Sequence, residues 1–135
     1  MRKLNKKLVA MIMTTILVCS LSMTAGAASG TFTTYGGPHP RTWEYSLSSR
    51  DVASAFYRLT GKIAQPSEYS YDEVEMELTL FCNGTTNVVK TASGEDVYVL
   101  ETYADAALSQ TNGKGSMYVH VEDNLYGYYT GTFYN

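Results

Sequence analysis

The chain of 135 residues carries 13 acidic against 10 basic side chains, for a formal net charge of −3, and holds 12 tyrosines beside a single tryptophan. An acidic surface repels phosphate backbones and anionic headgroups, so composition argues against nucleic-acid binding and against docking on a charged membrane. With two cysteines, one of them in the N-terminal segment, the chain is no disulfide-stapled miniprotein.

The N-terminus reads as an export signal. Arg2, Lys3, Lys6 and Lys7 form a basic head, Leu8 to Met23 is an uncharged apolar stretch, and Ala25-Gly26-Ala27 supplies the small residues of a cleavage site. The stretch is too short, and too rich in Thr and Ser, for a spanning helix of about 20 apolar residues. Cys19 follows Ile16-Leu17-Val18, unlike a lipoprotein motif, which needs a small residue before the cysteine. The expectation is a cleavable signal over residues 1–27, a cut before Ala28, and a secreted product with no membrane anchor. Residues 28–135 then form one small β-rich domain with six basic and 13 acidic residues, a net charge of −7. All the aromatic residues lie in this part, which suits strands rather than disorder.

Along that domain, Gly36-Gly37-Pro38-His39-Pro40 marks a loop between β-like runs at residues 31–35 and 42–46. Ser48 and Asp51 have capping-box spacing, Val52, Phe56 and Leu59 fall on one helical face, and Gly61 could end a helix. This predicts a short helix over about residues 49–60, although 52–56 also reads as a strand. In the second half, Val74, Met76, Leu78 and Leu80 alternate with Glu73, Glu75, Glu77 and Thr79, the period of a half-buried strand. Asn83-Gly84 predicts a two-residue hairpin turn that sets Leu78 opposite Val89 and Glu77 opposite Lys90. Asn112-Gly113 predicts another, with Ala106 opposite Val119 and Ala104 opposite Val121. For the last strand, a two-residue loop at Asp123-Asn124 would turn Tyr126 and Tyr128 inward, whereas a three-residue loop would turn them to solvent. The fold class expected is mostly β: an antiparallel β-sandwich or curled meander sheet of about five to seven strands with one short helix.

Few residues point to chemistry. Cys82, the one cysteine past the signal, shares parity with Leu80 and Leu78 and reads as a small buried hydrophobe, with a monomer expected unless its thiol is exposed. The Asn112-Gly113 register would set Asp105 against His120 on the outer face, an outward charge pair with no nucleophile beside it. Glu73, Glu75 and Glu77 project from one strand face and read as a solvated surface rather than a glycosidase pair. No spacing matches a metal loop, so neither a metal nor a cofactor is expected, and no catalytic residue is assigned. The remaining anomaly is tyrosine. Tyr126, Tyr128 and Tyr134 crowd the C-terminus, and with Trp43 they are the candidate binding residues, because such rings give rigid amphipathic contact area for a protein or glycan partner.

A Lys-rich signal followed by a Tyr/Thr/Gly-rich β domain is similar in outline to small exported proteins and bacteriocin-like products of Gram-positive bacteria. That likeness covers size and composition and carries no residue role. The function expected is therefore a secreted, non-enzymatic binding module using an aromatic surface. An antibacterial or toxin-like protein is the alternative, and a small hydrolase comes third.

Overall fold

The computed structural model describes residues 24–65 and 69–135. Of the signal expected over residues 1–27, residues 1–23 lie outside them. Among the described residues the chain forms eight antiparallel strands and no helix: β1 (Thr24–Thr33), β2 (Thr42–Val52), β3 (Phe56–Ala64), β4 (Glu73–Leu80), β5 (Val88–Gly94), β6 (Val99–Ala107), β7 (Gly115–Asp123) and β8 (Gly127–Tyr134). They build two four-stranded sheets, ordered β1-β2-β3-β6 and β5-β4-β7-β8. The result is β-sandwich-like, as alternating inward apolar and outward polar residues require when two sheets share one core. Leu47, Leu59 and Ile63 of the first sheet meet Val74, Met76, Leu78, Met117, Val119 and Val121 of the second, all buried.

The helix expected at 49–60 is a β-hairpin instead. Strands β2 and β3 pair in unbroken register from Glu44↔Ala64 to Val52↔Phe56. The turn is of the I′ kind: Ala53 and Ser54 take φ of 52° and 53°, and the Ala55 N–H donates to the Val52 carbonyl at 3.1 Å. Neither residue is one of the Asn or Gly types that mark such turns, so the bend carries no local signature. Phe56 and Leu59 then fall on opposite faces of β3. Gly61 stops nothing; a Cβ there would come within 2.7 Å of Leu78 and 2.8 Å of the Met117 sulfur, so its bareness admits the facing sheet. Left-handed φ costs a non-glycine residue roughly 1–2 kcal/mol. Replacing Ala53-Ser54 by Asn-Gly is therefore expected to stabilise the fold by about 1 kcal/mol or more, checked as a raised urea midpoint with an unchanged slope.

Two registers also differ from expectation. Strands β4 and β5 do pair, but Leu78 faces Lys90 and Glu77 faces Thr91, one residue away from a tight two-residue turn at Asn83-Gly84. The loop is longer because its backbone is engaged elsewhere. Phe81 N–H donates to Lys114 O, Asn83 N–H to Gln110 O, and the Asn87 carboxamide accepts the Cys82 N–H. The expected Asn112-Gly113 hairpin is not formed: β6 pairs with β3, and β7 with β4 and β8. Gly113 does take a positive φ of 79°, but in a segment that crosses from one sheet to the other. There the Thr111 hydroxyl donates to Phe81 O at 2.6 Å, and the Asn112 side chain accepts the Lys114 N–H.

Candidate functional site

The last hairpin decides where the tyrosines point. Asp123 pairs with Gly127, leaving three residues between them, and the Asp123 carboxylate accepts the N–H groups of Leu125 and Tyr126. This is the three-residue case, so Tyr128, Thr130, Thr132 and Tyr134 face outward, while Tyr129 and Phe133 face the core. Tyr128 is 45 % and Tyr134 64 % exposed. Trp43 is fully buried between Phe32, with ring centroids 6.1 Å apart, and the edge-on Tyr71 at 5.2 Å. It belongs to the core and not to the exposed aromatic set. Tyr126 is half-buried in the loop, packed 5.4 Å from Tyr71 and 5.3 Å from Tyr69.

Around Tyr128 the fold assembles a group of residues from three connections. The β1–β2 loop approaches through Tyr35, whose N–H donates to Tyr128 O at 3.0 Å and whose carbonyl accepts the Tyr128 N–H at 2.8 Å. The two rings lie 4.2 Å apart, and Tyr35 is 50 % exposed. Farther along the loop, His39 N–H donates to Leu125 O. Thr34 supports the arrangement from beneath: its hydroxyl accepts the Arg41 N–H at 2.9 Å and donates to the Tyr126 carbonyl. Arg41 then lays its guanidinium 3.8 Å from the centre of the Tyr69 ring and 5.2 Å from that of Tyr126. This is a cation–π stack in which Arg41 is half-buried. Loss of solvation and the neighbouring Tyr128 push the Tyr35 phenol above its ordinary range, and burial does the same for Tyr71. Both hydroxyls stay neutral at ordinary pH and serve as hydrogen-bonding groups, not nucleophiles.

Close packing holds this end of the sandwich rigid. Gly37 sits so near the β7–β8 loop that a Cβ would fall 2.4 Å from Gly127 N. Gly127 itself, at φ +87°, would place one 2.3 Å from Tyr35 O. The exposed rings of Tyr35 and Tyr128, with Leu125 beside them, are thus displayed on backbone that is clamped rather than loose.

The charges divide unequally. On the outer face of the first sheet Arg58 grips Asp105, its cross-strand neighbour, through two bonds of 2.9 and 2.8 Å, and lies 4.0 Å over the Tyr103 ring. Asp105 therefore pairs with Arg58 and not with His120, because their strands lie in different sheets. His120 faces Thr130 and Glu75 across its strand neighbours. Its ring nitrogens meet the Thr130 hydroxyl at 3.0 Å and the Glu122 carboxylate at 3.3 Å, with Glu73 at 4.0 Å. Glu73, His120 and Glu122 could each offer a ligand atom to a divalent cation, but both ring nitrogens already have partners and both carboxylates are exposed. Next to them Asp72, Glu73, Glu95, Glu122 and Asp123 line one depression of about 220 Å³, so the corner beside Tyr128 is strongly acidic. Another depression, of about 500 Å³, lies on the other sheet and brings together Ser29, Glu44, Tyr45 and Lys62. Cys82 is half-buried at the core margin, its sulfur 3.7 Å from the Leu80 carbonyl.

Of the residues picked from sequence, Tyr126 packs on Tyr69 and Tyr71 while Tyr128 packs on Tyr35, Tyr134 lies six residues along the same strand, and Trp43 is beneath the surface. Sequence reasoning missed Tyr35, Tyr69 and Arg41. Tyr35 and Arg41 flank the Gly-Gly-Pro-His-Pro loop, which was the available signal, but nothing local reveals that this loop folds onto β8. No protein-family model matches the chain, and searches among curated proteins and solved structures likewise return no significant match.

Proposed function

We propose that the chain is a small exported, non-enzymatic binding module whose contact surface is the clamped Tyr35–Tyr128 pair with the exposed Tyr69 ring stacked on Arg41. The observation that carries this reading is the Tyr35–Tyr128 pair: two large rings, each about half exposed, held together by a reciprocal backbone bridge. A soluble domain gains nothing in stability from leaving such rings in water, whereas preorganised aromatic surface lowers the entropic cost of binding. The adjoining acidic corner selects the partner's charge, favouring neutral sugar rings or a cationic protein segment over polyanions.

The export half of the proposal has its own check. N-terminal sequencing of the protein recovered from culture medium is expected to begin at Ala28, within two residues. Recovery with Met1 intact would overturn it. Such a cut trims β1 to its Ala28–Thr33 portion, which stays paired with Leu47 through Thr42.

For the binding half, Tyr128→Ala is expected to cost under about 0.5 kcal/mol, as exposed substitutions do, while abolishing retention on the glycan or protein surface that retains the native chain. The measurement is a pull-down against mucin, host glycans and cell-wall fragments, with thermal melts and bacterial growth inhibition in parallel. Unchanged retention by the variant would remove the patch from the function. Growth inhibition without any retention would favour the toxin-like alternative.

A further inference from the structure

Strand β8 is an edge of its sheet, and beyond the Tyr35–Tyr128 bridge that edge is bare among the described residues. Tyr128 directs both its backbone groups away from β7, since they bond to Tyr35. In an antiparallel ladder this orientation repeats every second residue, so the N–H and C=O groups of Thr130, Thr132 and Tyr134 also point away from β7. Among the described residues none of these six groups has a backbone partner. The β1–β2 loop covers this edge only at Tyr35, and β1 before it lies in the other sheet, where it pairs with β2.

Natural sheets protect such edges with charge, proline or bulges. Strand β8 has none of these: Gly127–Tyr134 reads GYYTGTFY, and its register with β7 is unbroken. The edges of β5 and β6 differ: β5 carries the exposed Lys90 and lies along β6, which carries Glu101 and Asp105.

We propose that the β8 edge pairs with the β8 edge of a second copy of this chain, antiparallel about a twofold axis at Thr132. The sequence is self-complementary in that register. Thr132 meets Thr132 of the second copy, Thr130 meets its Tyr134, and on the inner face Gly131 meets its Phe133. No charge faces a like charge and no large ring faces another across the join. Three pairs exchange about six backbone hydrogen bonds and join two four-stranded sheets into one of eight strands. The contact is short, which makes a weak, concentration-dependent dimer, and the acidic corners on both copies make it tighter at high salt.

Sedimentation of the protein, purified in the form that cells accumulate, tests this between about 10 μM and about 1 mM, the range of a weak interface. The native chain is expected to shift from monomer to dimer, with exchange of the Thr130, Thr132 and Tyr134 amides slowing about tenfold or more as the dimer fills. Thr132→Pro removes only an edge N–H, and Thr132→Lys sets two positive charges face to face, so both variants should remain monomeric. If the proline variant does not fold, the lysine variant decides. A native chain that stays monomeric throughout, a dimer that survives in Thr132→Lys, or open-ended fibres instead of a closed dimer would each overturn the proposal. Retention on glycans by Thr132→Lys reports on the tyrosine patch separately, so failure of one reading is not failure of the other.

Discussion

A Gly127→Ala variant is expected to lose about 3 kcal/mol of folding free energy, far more than the same change at Gly84. Both glycines have positive φ, +87° and +67°. Only the first is also a point of close backbone approach: an added Cβ meets the Tyr35 carbonyl oxygen at 2.3 Å and Gly37 N at 2.9 Å, while at Gly84 nothing lies within 4 Å. Gly84→Ala therefore reports backbone strain alone, about 1 kcal/mol. Gly127→Ala adds the separation of the β1–β2 loop from β8, and with it the reciprocal Tyr35–Tyr128 bridge, whose hydrogen bonds contribute roughly 0.5–1.5 kcal/mol each. Urea titrations of the two variants measure the difference. Equal costs would show that the loop yields freely and that the tyrosine patch is not clamped. Gly127→Ala should in addition abolish ligand retention, since it displaces both rings at once.

The β character of the fold was legible because alternation is a local property. Val74 to Leu80 read correctly, residue by residue, since each inward position is apolar and each neighbour polar or charged. Partnership was not legible. Ala104 and Ala106 match Val119 and Val121 in apolarity as well as any true neighbours do, yet the first pair lines one sheet and the second the other. In a two-sheet core every inward position is apolar, so matching by hydrophobicity cannot tell a strand's neighbour from the strand across the core. The glycines misled for a related reason. Gly113 needs its positive φ, as Asn-Gly suggests, but the turn serves a crossing between layers. The helix expected at 49–60 rests on the Ser48–Asp51 spacing and the Val52, Phe56 and Leu59 face, with Gly61 as its stop, whereas Gly61 leaves room for Leu78 and Met117.

The site was half legible. Tyrosine enrichment at the C-terminus was visible, and the two possible loop lengths defined the two possible orientations of Tyr128. What decided between them was the Asp123 side chain, which accepts two loop N–H groups and so stabilises the longer loop. Tyr35, Tyr69 and Arg41 reach the patch only through long-range packing, with Thr34 bonding to Tyr126 across most of the chain. No spacing in the sequence encodes that contact. The acidic corner shows the same limit: its five carboxylates come from three separate segments and become one feature only when the sheets form.

Trp43 separates the two roles an aromatic residue can play here, and Trp43→Ala is expected to cost about 3–5 kcal/mol. The ring is wholly enclosed, stacked on Phe32 and met edge-on by Tyr71, which itself contacts Thr34 and Tyr126 under the exposed patch. A domain of this size has about 5–15 kcal/mol of stability in all, so the variant should lose a large share of it and melt well below the native chain. Because Trp43 is the only tryptophan, its own fluorescence checks the premise: emission from the folded native protein should be blue-shifted and should move to the red through the same urea transition that circular dichroism follows. A surface binding residue behaves in the opposite way, with an unchanged melting temperature and lost retention. A Trp43→Ala protein that melts within about 2 °C of the native chain would mean that the ring is not in the core, since even 1 kcal/mol moves the midpoint of a domain this size by several degrees.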